Sequence, residues 1–289
     1  MRVVINQVIK RRNIPAMIRF SLSRSLLSLY ICKAIFLAFS GDAFAGDRET
    51  LELGLGFAGA SLPHYRGSDQ RRDYVAPFPY FRYDGERLKI NREGSQFYLY
   101  HQSDFKVDLS LTFAPPVLSE DNRAREGMPD LNPVVELGPR AQFLLYESDG
   151  GMFQLRACLP FRMAVASDMN DTRYVGWNFS PYILLHMDHK WDADISFGPA
   201  WVDETYHDYI YEVRQAYVTA DRPLYDAKGG YSGSRVTFST GQRHGDYWLG
   251  LFARYDDLNG AVFEESPLVK KSSSFMAGAA FSTILYGVK

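Results

Sequence analysis

Cysteine is almost absent from this chain. Of its 289 residues only Cys32 and Cys158 are cysteines, too few for a disulfide framework or a thiolate metal site. Long apolar runs are missing too. No stretch of 18 uncharged hydrophobic residues occurs and the mean hydropathy is −0.24, which argues against a membrane-spanning helix. A β-barrel remains open, because its lipid-facing residues sit at alternate positions and average out along the chain. Basic charge is also in short supply. The chain has 32 Lys+Arg against 34 Asp+Glu, and residues 46–289 alone carry a net −8. With no basic patch to meet phosphates, nucleic acid is not expected as a partner.

Where apolar residues do cluster, they lie near the N-terminus. Arg19 and Arg24 precede "SLLSLYICKAIFLAF" (25–39), interrupted once by Lys33, and "SGDAFA" then ends in Ala43-Phe44-Ala45 before Gly46. A basic flank, an apolar stretch and an A-x-A site form an export signal. Residues 1–45 are therefore expected to be a cleaved signal peptide, with Met17 as an alternative start that gives a signal of ordinary length. Cys32 would leave with it, and Cys158 would stand alone. Residues 46–289 show no linker or low-complexity tract and are expected to form one domain.

The rest of the chain is rich in two-residue alternation. "DFKVDLSLTF" sets Phe105, Val107, Leu109, Leu111 and Phe113 against Lys106, Asp108, Ser110 and Thr112. Side chains on a strand alternate faces, so this is a ribbon with one oily and one wet side. The pattern recurs at Leu51–Leu53–Leu55–Phe57, from Phe153 to Val165, from Val175 to Met187, from Trp191 to Phe197 and from Phe275 to Phe281. Such ribbons exceed the roughly 5–6 residues of a soluble strand and suit the ~9–11 needed to cross a bilayer at a tilt. Twelve strands are expected: 50–60, 74–84, 86–92, 94–102, 104–114, 132–147, 151–165, 173–187, 190–202, 231–243, 246–258 and 274–286. Joins after even-numbered strands are short, and most others are long (61–73, 115–131, 166–172, 203–230, 259–273). That is the asymmetry of an outer-membrane barrel, with short periplasmic turns and longer extracellular loops. The exception is the join near Glu93, short where a loop is expected. Tyr98, Tyr100, Tyr146, Tyr174, Trp191, Trp201, Tyr247, Trp248 and Tyr255 would supply the two interfacial girdles.

Candidate chemistry is sparse. His186, Ser180 and Tyr182 share a strand face, but His186 and Ser180 are ~20 Å apart by strand rise. His186 reads as a lumen-packing histidine, and Asp192 and Asp194 as carboxylates ion-paired to lumen arginines such as Arg140, Arg156, Arg162, Arg235 and Arg254. "DETYHDYIYE" (203–212) places His207 among four acids; the spacing fits no particular metal, and a solvated external loop is expected. No catalytic residue, metal or cofactor is assigned.

Two blocks carry a more specific signal. "LPHYRGSDQRRDYVAPFPYFRYDGERLKI" (62–90) has a P-x-Y-x-G-S run followed by P-x-P-x-x-x-Y-x-G, and "YIYEVRQAYVTADRPLYDAKGGYSGSRVTFST" (211–240) is followed by "WLGLFARYDDLNGAVFEESPLVKK" (248–271). Together they resemble the opening and closing blocks of the MipA/OmpV family. The resemblance implies an outer-membrane barrel without known catalysis, with outer-membrane lipid around it. It also implies a scaffold role that brings an MltA-type lytic transglycosylase together with a bifunctional penicillin-binding protein. Narrow channel, surface adhesin and lipid-modifying enzyme are the alternatives. The matching positions Tyr65, Gly67, Pro77, Pro79, Pro223, Tyr225, Ser266 and Pro267 are the candidate binding residues, with loop-shaping as their competing role. One departure is the ending "STILYGVK", which places Tyr286 three residues inside where the family ends in an aromatic.

Overall fold

In a computed structural model the described residues are 50–84, 88–91, 94–168, 171–189 and 191–288. The signal-peptide expectation, Met17 and Cys32 lie outside them, as do the turn 85–87 and the join at Glu93. The side chain of Tyr98 is likewise outside the description.

Thirteen antiparallel strands form one sheet: β1 (Thr50–Pro63), β2 (Arg71–Asp84), β3 (Leu88–Asn91), β4 (Gly94–His101), β5 (Phe105–Ala114), β6 (Val134–Glu147), β7 (Phe153–Ser167), β8 (Thr172–Phe179), β9 (Tyr182–Met187), β10 (Asp192–Val202), β11 (Gly230–His244), β12 (Tyr247–Asp257) and β13 (Ser273–Val288). β8 and β9 both pair with β7 and with β10, so they are two halves of one stave broken at Ser180–Pro181. The expected twelve staves are therefore present. β1 pairs with β13 from Leu51↔Val288 to Ser61↔Ala277, and β10 pairs with β11, so the sheet closes on itself. Closure is what lipid demands, since an open edge would leave backbone groups unpaired at several kcal/mol or so each.

The two faces divide as the alternation requires. Leu55, Phe57, Leu111, Phe113, Met163, Phe197, Phe275 and Phe281 point out and are exposed, while Asp108, Ser110, Arg156, Arg162, Asp194 and Ser282 are buried inside. Inward glycines let staves approach. A Cβ on Gly56 would run into the carbonyl of Phe281 on the neighbouring strand.

Two expected orientations are corrected. Val175 is buried rather than lipid-facing, because a bulge between Ala164↔Gly176 and Val165↔Tyr174 shifts the phase and turns Tyr174 outward instead. Trp248 belongs to no girdle. It points inward, stacked on Phe78 at 5.9 Å and tilted against Tyr80 at 5.4 Å, over the space left by Gly250. The expected loops 61–73 and 166–172 are shorter: β1 runs to Pro63 and β2 begins at Arg71, and β7 runs to Ser167 and β8 begins at Thr172.

At the long-loop rim the chain is packed rather than solvated. Helix α1 (Glu204–Tyr211) starts at Asp203, whose carboxylate accepts from Tyr206 N in its first turn and from Trp177 N on β8. That cap explains why the segment after β10 coils instead of running on as strand. Loops 64–70, 115–133, 203–229 and 258–272 meet in a second hydrophobic core of Tyr65, Val117, Leu131, Tyr211, Val213, Leu258, Phe263 and Leu268. A cap thus closes the outer mouth.

Candidate functional site

The lumen beneath the cap is filled by polar networks. Asp108, fully buried, takes two hydrogen bonds from Arg140 (2.9 and 2.6 Å) and one from Gln142 at 2.7 Å, and Arg140 also donates to Tyr182 Oη. Arg162 donates to Ser110 and Ser180. Lower down, Arg243 pairs with Glu52, which accepts from Tyr80. His186 sits 2.7 Å from Asp194 and 3.7 Å from Asp192. The lumen-packing reading of His186 therefore holds, and both aspartates meet it. No group of three or more His, Cys, Asp or Glu suited to a metal occurs among the described residues.

Just under the cap lies a cavity of about 240 Å³. Tyr65, Val117, Leu131, Ile210 and Tyr211 form its apolar roof, and Glu136, Asn178, Arg235 and Arg254 its polar floor. Charge there is unbalanced. Asp256, with no accessible surface, has Arg66, Arg235 and Arg254 at 3.1, 3.4 and 2.8 Å. Glu136 is satisfied by Tyr206, Thr112 and Asn178 and lies 3.9 Å from Arg162. Four guanidiniums thus face two carboxylates.

His207 was expected on a solvated loop and is instead 1% exposed. Only its Nδ1–H can donate to the Lys228 carbonyl at 2.6 Å, so Nε2 accepts from Ser232 Oγ at 3.1 Å, and that hydroxyl in turn accepts from Arg66. Phe263 meets its ring edge-on at 4.7 Å. The misreading has a simple cause: α1 turns the ring inward, against Tyr211 and Phe263. Burial pushes His207 down to about 4. Burial, followed by Glu212, Asp226 and Glu204, pushes Asp208 up to about 6.

These two neighbours pull cap stability in opposite directions with pH. The unfolded loop protonates His207 first, near 6.5. Its contribution is whole above that pH and is lost as pH falls toward about 4. Asp208 contributes below its ordinary value of 3.8 and loses that as pH rises through about 6. Asp208 is partly solvated and screened, so the histidine dominates and the cap is expected to tighten from pH 4 to 6.5. Protease cutting of loop 203–229, normalised to the unfolded chain at each pH, measures this. His207→Gln should reverse the slope, and a flat wild-type profile would refute the assignment.

The sequence-derived candidates divide between cap and wall. Tyr65 is in the cap, its Oη donating to Leu268 O at 2.9 Å and its ring edge-on to Tyr211 at 6.2 Å. Burial lifts its hydroxyl to about 12. Gly67 has φ +88, and its carbonyl accepts from the amides of Lys270 and Lys271; a Cβ would press on Val269 and Leu258. Tyr225 Oη donates to Val262 O at 3.2 Å. Ser266 Oγ donates to Tyr211 O at 2.8 Å. Pro267 lies over a shallow basin shared with Asp69, Arg123, Arg222 and Lys270. Pro223 is exposed beside Arg222, which donates to the carbonyls of Ala124, Glu126 and Tyr217. Pro77 and Pro79 are elsewhere, side by side in β2 opposite Phe57 and Leu55. Tyr65, Gly67, Tyr225 and Ser266 each tie one loop to another. Tyr211, a position of the closing block, carries the cap with them, and Phe263, Arg66, Arg125, Arg222 and Asp256 do so without having been singled out. Only the density of tyrosine in 205–211 hinted at them.

Among solved structures, the chain is similar to OprB of Pseudomonas putida (9% identity over 81% of this chain and 94% of that one, TM-score 0.38). It is similar to a FadL homologue of Pseudomonas aeruginosa (7%, 82% and 90%, TM-score 0.30) and to the outer membrane protease OmpT of Escherichia coli (8%, 85% and 97%, TM-score 0.31). Likenesses this loose carry no functional argument. No curated protein matches the sequence. The family model described as MltA-interacting protein MipA matches residues 55–283, and the chain, an antiparallel β-barrel of the outer membrane, belongs to that family.

Proposed function

We propose that this barrel works as a closed interaction platform of the outer membrane, linking a murein hydrolase of the lytic transglycosylase type to a murein synthase at its periplasmic rim. The observation that supports this most is the filled lumen: Arg140–Asp108–Gln142, Arg162–Ser110 and Arg243–Glu52 cross it, and the cap covers its mouth. A barrel so plugged suits binding better than conduction. The family's own description, an MltA-interacting protein, points to the hydrolase. Residues 1–45 act as the export signal that brings the chain to this location, which N-terminal sequencing of the mature protein tests.

Area limits the contact. Among the described residues the short-turn rim offers 102–104, 148–152, 188–189, 191 and 245–246, little against the ~800 Å² per partner of a standard interface. The segment before Thr50 must therefore contribute. A surface-binding role for the outward cap is the second reading, favoured by Leu224, 60% exposed on a packed frame. Purification of a tagged barrel from cross-linked envelopes separates the two. Enrichment of a lytic transglycosylase and a penicillin-binding protein over a control barrel is expected, and their absence would move the function to the cap. In planar bilayers no discrete conductance steps are expected; regular steps would favour the channel.

A further inference from the structure

The barrel wall is incomplete on one side. β2 pairs with β1 from Arg71 to Asp84, but with β3 only at Tyr83↔Ile90 and Asp84↔Lys89. β5 pairs with β6 as far as Ala114, but with β4 only up to Leu109↔Phe97. β3 and β4 are four and eight residues long, against fourteen for β2. Among the described residues no strand stands between the outer halves of β2 and β5.

The gap is framed rather than ragged. Loop 115–133 crosses above it from β5 to the β1–β2 hairpin, held by Arg72–Asp121 at 3.3 Å and Arg123–Asp69 at 3.1 Å, with Arg123 N donating to Gln70 Oε1 and Asn122 to His64 and Ser68. The β3–β4 hairpin is the sill. Pro77 and Pro79 lie on β2, where an edge is the sheet position that tolerates missing donors. Val75 (81% exposed), Leu111 and Phe113 present apolar surface on the two jambs. Strand edges facing lipid carry a cost in unpaired backbone groups.

Behind the window is the cavity under the cap. Its lining includes Leu62–Arg66, from the end of β1 and the loop that leads to β2, and Thr112–Pro115 from the end of β5. At its base, Arg66 Nε and Arg235 Nε are buried without a hydrogen-bond partner among the described residues, although both lie near Asp256. We propose that this window admits the head of a single-chain fatty-acid-type amphiphile from the outer leaflet, with its carboxylate held by Arg66, Arg235 and Arg254. Three features select that class. The mouth opens on lipid, the base has two guanidiniums in excess, and 240 Å³ takes roughly eight water-sized groups. A lipid A headgroup is too large for that space. Guanidinium forks match a carboxylate in geometry and charge. The head then sits near interface height while the rest of the chain lies in the window and the bilayer. The site stands whether or not the periplasmic rim binds murein enzymes.

The full barrel in phospholipid nanodiscs, titrated with a fluorescent conjugated-polyene fatty acid, tests this. Saturable binding above empty nanodiscs is expected, displaced by decanoate at least tenfold better than by decanol. Ala114→Trp, an exposed residue at the mouth, should weaken binding at least tenfold, with heat-modifiable gel mobility checking that the barrel still folds. Should that variant misfold, Thr112→Phe at the same jamb is the second block. Absence of saturable binding, or equal binding by wild type and a folded blocked variant, overturns the site. Equal displacement by decanol overturns the arginine-held carboxylate.

Discussion

Asp256→Ala is expected to cost the barrel about 3–5 kcal/mol, the usual loss when a buried ion pair is broken from one side. The carboxylate has no accessible surface and three guanidiniums within 3.4 Å. Without it, Arg66, Arg235 and Arg254 are like charges crowded in a poorly solvated lumen, and only water entering the cavity relieves them. Thermal unfolding in detergent, followed by the shift between folded and unfolded gel bands, measures the loss. Adding Arg254→Met to the alanine variant should recover part of it, because one of the stranded charges goes with it. A single mutant that melts like wild type would show that the arginines are neutralised by something else.

Tyr211→Ala should have a similarly large effect, confined to the cap. The ring is stacked on Phe263 at 3.9 Å with 7° between the planes, stands edge-on to Tyr65, and its Oη donates to Arg66 O at 3.0 Å. Removing a fully buried aromatic costs about 3–5 kcal/mol, here charged against a core of only about ten residues. The staves have their own ladder and should keep the gel mobility of the folded barrel. Limited proteolysis should then cut 203–229 and 258–272 rapidly. If the barrel itself lost its folded band, cap and wall would be one cooperative unit, contrary to this expectation.

The wall was readable in the sequence because its signal is local: a period of two, repeated over long ribbons, survives any arrangement of the staves. Bulges are where it failed. Val175 carries the right residue type for lipid, but one extra residue opposite Val165 rotates it into the core. Trp248 shows the limit of composition, since an aromatic at a strand end serves a girdle or a plug equally well, and the choice depends on Gly250 and Phe78 facing it. How little of β2 is paired with β3 was not readable either, because it takes the pairing partners to see it. The cap was not readable. Its core draws on four loops, and nothing in "DETYHDYIYE" says that Phe263 will be waiting for His207 and Tyr211.

That long-range origin has a consequence for when the cap can form. The bond from Tyr65 to Leu268 joins residues 203 apart, that from Arg66 to Ser232 residues 166 apart, and the first strand borders the last. Chain-closure entropy delays contacts of this span until shorter ones are made. The hairpins can each zip early, but the lid is completed only after the ring has shut. Protease resistance of the outer loops is therefore a clock for the end of biogenesis, and a chain stalled before its last strand would carry every hairpin but that one and no lid.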